Sequence, residues 1–207
     1  MEETAIYFIN DKNFASVTKE VCSSLNEGNI CVIPTDTIYG IVAIERFADS
    51  VEKIYKIKKR PAGKPFIRLI GSMKNLSLYT GQTLPESLEK YWPGPLTVIF
   101  QSIHGEKVSI RYPDDPFLGG LFRMLGYRAL VAPSANISGE DNIYENEVLI
   151  RTFRGKVSII VCLEGGQKKK RASTIIDIST SPWKLIREGD LKIDLMSGFG
   201  LQANPGL

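Results

Sequence analysis

Two short apolar runs constrain this chain more than any other feature. Ile30-Cys31-Val32-Ile33 passes without a break into Pro34-Thr35-Asp36-Thr37-Ile38-Tyr39-Gly40. Ala129-Leu130-Val131-Ala132 passes in the same way into Pro133-Ser134-Ala135-Asn136-Ile137-Ser138-Gly139. A run that is apolar at every position, and not at alternate ones, marks a strand buried on both faces. In open α/β sheets, ligands bind beyond the ends of such strands. Here both ends carry small polar groups: hydroxyls, an amide, a carboxylate and a phenol. Each turn also has a plain reading. Thr35 and Asp36 can bond their own backbone, and Ser134 or Asn136 can cap a helix or form an Asx turn. On the residues alone both readings stand.

The chain between these turns alternates strand and helix signals. Residues 4–9 are rich in β formers. Phe14, Val17, Val21 and Leu25 then fall at helical spacing, with Asn13 placed to cap and Gly28 placed to end the helix. Residues 41–44 continue as a strand. Asp49 or Ser50 is expected to cap a helix through Val51, Ile54 and Tyr55, which delivers Lys58-Lys59-Arg60-Pro61-Ala62-Gly63-Lys64-Pro65. Pro61 biases Arg60 away from helical geometry, so the helix should end there. The cations then stand in a turn shaped by two prolines, which suits a polyanion. They equally suit a solvated helix end favoured by the dipole. Further strands are expected at 66–70, 98–100 with its hairpin partner 108–111, 158–163, and a closing hairpin of 173–178 with 183–187. Helices are expected at 116–124 and 145–153, with two short ones inside 76–91, the second opening at Pro85. Arg111 closes an apolar strand, either as an edge-protecting residue or as a carboxylate clamp. Lys168-Lys169-Lys170-Arg171 reads as a solvated charge run.

Composition sets the class. The 207 residues are 43% hydrophobic and 24% charged, the profile of one soluble domain. That domain is expected over 1–193, followed by a tail, 194–207, rich in Gly, Asn and Pro. A net charge of +3 leaves anion binding to local clusters. No apolar run approaches the ~20 residues of a membrane span, and the acidic N-terminus is not a signal peptide. Cys22, Cys31 and Cys162 are isolated and read as reduced, in a cytoplasmic protein. His104 is the one histidine and falls in a hairpin loop, so a zinc site or His-dependent triad lacks support. P-loop, GxGxxG and GxSxG motifs are missing. Cations and hydroxyls without an evident nucleophile suit phosphoryl or nucleotidyl transfer, where positioning and charge stabilisation do most of the work. The residues alone point to binding of a phosphorylated nucleotide with an anionic co-substrate.

Six strings together carry a resemblance. Pro34–Gly40 is similar to PT[DE]T[VI]YG, Lys58-Lys59-Arg60-Pro61 to KxRP and Trp92-Pro93-Gly94-Pro95-Leu96-Thr97 to WPGPLT. Pro133–Gly139 is similar to PSANxSG, Ser173-Thr174-Ile175-Ile176-Asp177 to STVxD and Arg187-Glu188-Gly189 to RxG. In this order they resemble the YrdC-like threonylcarbamoyl-AMP synthases, in the short, single-domain form. The resemblance implies a twisted open mixed α/β sheet flanked by helices around a basic concave cleft. It implies that L-threonine, bicarbonate or CO2 and ATP are joined into threonylcarbamoyl-AMP, with pyrophosphate released. A separate transferase complex would then modify tRNA, itself a partner for direct binding. ATP would arrive with Mg²⁺, and no protein-bound metal is expected.

By family position Lys58 and Arg60 are catalytic and exposed in the cleft. They bind ATP together with Lys64, Thr97, Ser134, Asn136, Asn142 and Arg187. Thr35, Thr37, Tyr39, Arg111, Ala132 and Ser173 hold threonine, with Arg111 on its carboxylate. Two departures stand out: Leu69 lies where long-form relatives carry His, and Arg171-Ala172 precedes Ser-Thr where many relatives have Glu. The rivals are a non-catalytic RNA-binding module, the carbamoyl-transferring domain of hydrogenase maturation proteins, and a divergent paralogue.

Overall fold

The computed structural model describes residues 3–61, 63–193 and 202–203. The expectation for the 194–207 tail lies outside them, apart from Gln202–Ala203. The first part of the chain holds β1 (Ala5–Ile9), α1 (Phe14–Asn26), β2 (Cys31–Ile33), β3 (Gly40–Ile44), α2 (Ala48–Lys58) and β4 (Arg68–Leu69). A 3₁₀ turn (Met73–Leu78) and α3 (Glu86–Glu89) lead to β5 (Leu96–Gln101), β6 (Lys107–Arg111), α4 (Pro116–Met124) and β7 (Leu130–Val131). Then come α5 (Asn146–Phe153), β8 (Ile159–Leu163), β9 (Thr174–Asp177), β10 (Lys184–Arg187) and β11 (Gln202–Ala203).

Among the described residues one 11-stranded sheet runs β1-β8-β2-β3-β7-β4-β6-β5-β9-β10-β11. It is mixed: β8 is parallel to β1 and β2, whereas β2–β3, β3–β7 and β5–β6 are antiparallel. The apolar run at 30–33 is buried on both faces, as its pattern requires. Cys31 and Ile33 pack with Val17, Val21 and Leu25 of α1 and with Leu118 and Leu121 of α4. Val32 points the other way, among Ile54 of α2 and Leu149 and Phe153 of α5. Each large side chain so buried contributes roughly 1.5–3 kcal/mol before chain entropy is counted. A further cluster of Leu88, Trp92, Leu96, Val98, Phe100 and Ile110 closes the far half of the sheet.

Local expectations are adjusted at helix starts. Asn13 occupies the N-cap of α1, yet its side chain accepts from the Asn10 amide and donates to the Phe8 carbonyl, so it braces the preceding turn. Helix α2 begins after Phe47, and the Ser50 hydroxyl donates to the Gly28 carbonyl in place of capping. Asp115 caps α4, accepting from the Leu118 amide at 2.9 Å. The strand expected at 66–70 is only Arg68–Leu69, although Ile67 and Ile70 still bond the backbone of Ala132 and Arg111, and Phe66 before it stacks on Tyr55, ring centroids 4.0 Å apart.

Candidate active site

The two polar turns meet. A β-bridge joins Gly40 to Ser134. The Ile41 amide donates to the Pro133 carbonyl at 3.0 Å, and the Ala135 amide to the Tyr39 carbonyl at 2.7 Å. Antiparallel β3 and β7 thus zip their strand-end turns together, although about a hundred residues separate them in sequence. The basic turn arrives from a third side. Lys59 ends α2 in the left-handed region (φ 50°), which throws Arg60 out of the helical path, and the Arg60 amide returns to the Tyr55 carbonyl.

These turns line a pocket of about 210 Å³. Of the residues expected in the site, Thr35, Thr37, Tyr39, Arg60, Arg111, Ala132, Ser134, Ser173 and Arg187 all line it, and so does Leu69. The Ser173 hydroxyl sits 2.8 Å from Thr97 Oγ1, and Arg187 donates to the Ser173 carbonyl (3.0 Å) and hydroxyl (3.2 Å). Arg111, 6% exposed, donates to Thr37 Oγ1 at 2.9 Å and pairs with the Asp36 carboxylate. Burial, then the charge of Arg111, pulls the Arg187 pKa below its ordinary value. The pocket therefore concentrates positive charge that an anion would relieve.

One expectation needs correction, and several other residues take places outside the pocket or are engaged within its wall. Lys58 is not exposed in the cleft: it is 2% exposed and does not line the pocket. Its ammonium donates to the carbonyls of Ser134 and Asn136, both at 2.6 Å, and to Asn136 Oδ1 at 3.1 Å. Helix α2 explains this burial, because Ser50, Ile54 and Lys58 share its inner face at spacing of four. Burial, then the Arg60 charge, lowers the Lys58 pKa to about 8. Asn136 likewise stays out of the pocket, and Thr97 is fully buried beneath Ser173. The Tyr39 hydroxyl is committed elsewhere, donating to Asn146 Oδ1 (3.0 Å) and accepting from the Leu163 amide (2.9 Å). Thr35 shapes its own turn, donating to the Ile38 carbonyl at 2.8 Å. Lys64 is exposed and Asn142 half-buried, and neither lines the pocket.

Two contributors went unassigned in the sequence. Asp36 holds Arg111. Buried Gln167 donates from Nε2 to the carbonyls of Thr35 (3.0 Å) and Thr37 (3.1 Å), fixing the first turn. The acid in Pro34–Gly40 was a visible signal for Asp36. Gln167 sits beside a lysine run and gives no local sign of its role.

The family model described as "Telomere recombination", which spans Sua5, YciO and YrdC proteins, matches residues 23–189. The threonylcarbamoyl-AMP synthase of Pyrococcus abyssi is 32% identical over 184 residues, covering 82% of this chain and 53% of that protein. The threonylcarbamoyl-AMP synthase of Bacillus subtilis is 33% identical over 161 residues, covering 71% of this chain and 45% of that protein. The chain thus spans about half the length of these two relatives. The crystal structure of P. abyssi Sua5 complexed with L-threonine superposes with a TM-score of 0.79 at 25% identity, covering 98% of this chain and 62% of that one.

Proposed function

The chain belongs to the Sua5/YciO/YrdC family, and from that premise we propose that it is an L-threonylcarbamoyladenylate synthase. One observation carries this reading. Arg60, Arg111 and Arg187 line a single pocket together with the hydroxyl-bearing Thr37, Ser134 and Ser173. The likeness to a Sua5 structure holding L-threonine supports threonine as co-substrate.

The threonine amine and CO2, or bicarbonate with loss of water, form a carbamate. A carbamate oxygen attacks the α-phosphorus of ATP. The bond from the α-phosphorus to the bridging oxygen breaks, and pyrophosphate leaves with the electron pair. The reaction brings anions together, so its barrier is lowered by fixed cations aimed at the transferring phosphoryl group. Arg60, Ser134 and Arg187 face the nucleotide, with Lys64 and Asn142 outside the pocket in reach only of its outer parts. Thr37, Ala132 and Ser173 hold threonine, and Arg111 takes its carboxylate. Lys58, Asn136 and Thr97 act from behind the pocket wall, and Thr35 and Tyr39, which line the pocket, shape its first turn.

Among the described residues no group of three His, Cys, Asp or Glu could hold a metal ion. We assign Mg²⁺ to the nucleotide phosphates, where it would neutralise charge. The product is a reactive mixed anhydride, and a separate threonylcarbamoyl-transferring complex acting on tRNA in the cytoplasm would consume it.

The test incubates the protein with ATP, threonine and bicarbonate and follows pyrophosphate. Release that requires threonine is expected. Release indifferent to threonine, or none, overturns the reading.

A further inference from the structure

Lys58 ends a helix, and Asn136 sits in a turn 78 residues later. The ammonium of Lys58 finds all three of its acceptors in residues 134–136. An ammonium has three N–H donors, so this set leaves none for a ligand. Asn136 is equally committed. Its Oδ1 accepts from Lys58 and from the Ser134 hydroxyl (2.6 Å), and its Nδ2 donates to the Glu140 carbonyl (2.5 Å). The backbone repeats the attachment, since the Ser138 amide donates to the Lys58 carbonyl at 2.9 Å. Neither residue lines the pocket, whereas Arg60 and Ser134, each two positions away from one of them, both do.

We infer that Lys58 and Asn136 form an internal staple that sets the 133–139 turn against the end of α2, presenting Ser134 opposite Arg60, and that neither touches nucleotide. The two motifs divide the same way. In Lys58-Lys59-Arg60 and Ser134-Ala135-Asn136, one residue of each string faces the ligand and the other holds the wall. The staple gives those groups a fixed separation before ATP arrives, and preorganisation of that kind lowers the cost of binding. It deepens the synthase reading and rests on it for the identity of the ligand, but its geometry belongs to the free protein.

The test uses full-length Lys58→Met, Asn136→Ala and the double variant. In ligand-free protein, amide hydrogen exchange at 134–138 should speed at least tenfold in Lys58→Met while β2 and β5 stay protected. Unchanged exchange in the turn overturns the staple. Calorimetric ATP affinity should fall at least tenfold in each single variant, and the double should be no more than about threefold worse than the weaker single. Fully additive losses overturn it. Threonine affinity should stay within twofold, which separates a positioning role from general loss of structure; an equal loss for both ligands counts against it. If Lys58→Met does not fold, Asn136→Ala carries the same exchange and affinity criteria, because it removes one of the three acceptor oxygens and leaves the charge. Should wild-type protein fail to bind ATP, the synthase reading falls, and the exchange result still decides the staple.

Discussion

The guanidinium of Arg111 at the end of β6 is held by the carboxylate of Asp36, in the turn that follows β2. The two residues belong to opposite sides of the wall. Arg111 lines the candidate pocket, whereas Asp36 lines a second hollow of about 500 Å³ behind the turn. Asp36 therefore grips Arg111 from the rear. With Thr37 on another guanidinium nitrogen, it fixes the plane of the group expected to meet the threonine carboxylate.

Replacing Asp36 by alanine should leave a 6%-exposed arginine without its counter-charge. Breaking one side of a buried pair costs about 3–5 kcal/mol. For a chain of this size that lowers the melting temperature by about 10 °C, at ~2–4 °C per kcal/mol. Thermal unfolding and a threonine titration check it: both the melting point and the affinity should fall. A melting point within two or three degrees of wild type would remove Asp36 from this role.

Arg60 is the better candidate for a loss of turnover with the fold intact. It is half-buried, donates to the Lys64 carbonyl at 3.0 Å and lies over the Phe66 ring at 5.3 Å. Arg60→Ala should cut threonine-dependent pyrophosphate release by about 10²–10³, the scale for losing one group that stabilises developing charge. Melting should move little, since exposed hydrogen bonds contribute modestly. Near-normal rates would show that Arg60 is not the phosphate-facing cation.

The parts of the site legible in the sequence are those written locally. Pro34–Gly40 and Pro133–Gly139 announce themselves as polar ends of buried strands, and both do line the pocket. The family likeness rests on the same strings. The parts that escaped depend on pairings across the sheet. Nothing near Asp36 says that Arg111, 75 residues on, will arrive beside it. The side-by-side placement of β3 and β7 is likewise non-local. Lys58 was misplaced for a different reason. The basic string reads as presenting Lys58 together with Arg60 in the cleft, whereas the Ser50–Ile54–Lys58 stripe puts Lys58 on the inner face of α2.

The pH response of Lys58 separates binding from folding. Its folded pKa is about 8, against an ordinary 10.5. Between those values the unfolded chain holds more protons, so this group makes folding more favourable as pH rises from 8 to 10.5. Function should move the other way. A neutral amine has two N–H donors for three oxygens, so the staple loosens. ATP affinity is expected to fall a few-fold between pH 7 and 9 with no loss of melting temperature from this source. The drop should vanish in Lys58→Met. Calorimetry paired with thermal scans across that range decides it, and a flat wild-type profile would contradict it.

Gly189 explains why the last motif ends in glycine. Its φ is not in the left-handed region, so the demand is for space and not for backbone freedom. A Cβ there would collide with the Ala172 carbonyl oxygen and would lie 2.5 Å from the Thr174 nitrogen and 2.6 Å from the Ser173 carbonyl carbon. All of these are backbone atoms, which cannot swing aside as a flexible side chain would. The Gly189 amide also donates to Thr174 Oγ1 at 3.0 Å, so the chain is held in this close approach. Gly189→Ala must therefore push the end of β10 away from Ser173, and the Arg187–Ser173 bonds lengthen with it. Overpacking of this kind costs about 1–3 kcal/mol. Because the displaced pair lines the pocket, turnover should fall more than tenfold, beyond what the stability loss explains at a temperature where the variant is folded. Steady-state pyrophosphate release at 25 °C, read beside the melting curve, tests this. A variant that melts lower but turns over normally would show that Arg187 and Ser173 need not be held together for the chemistry.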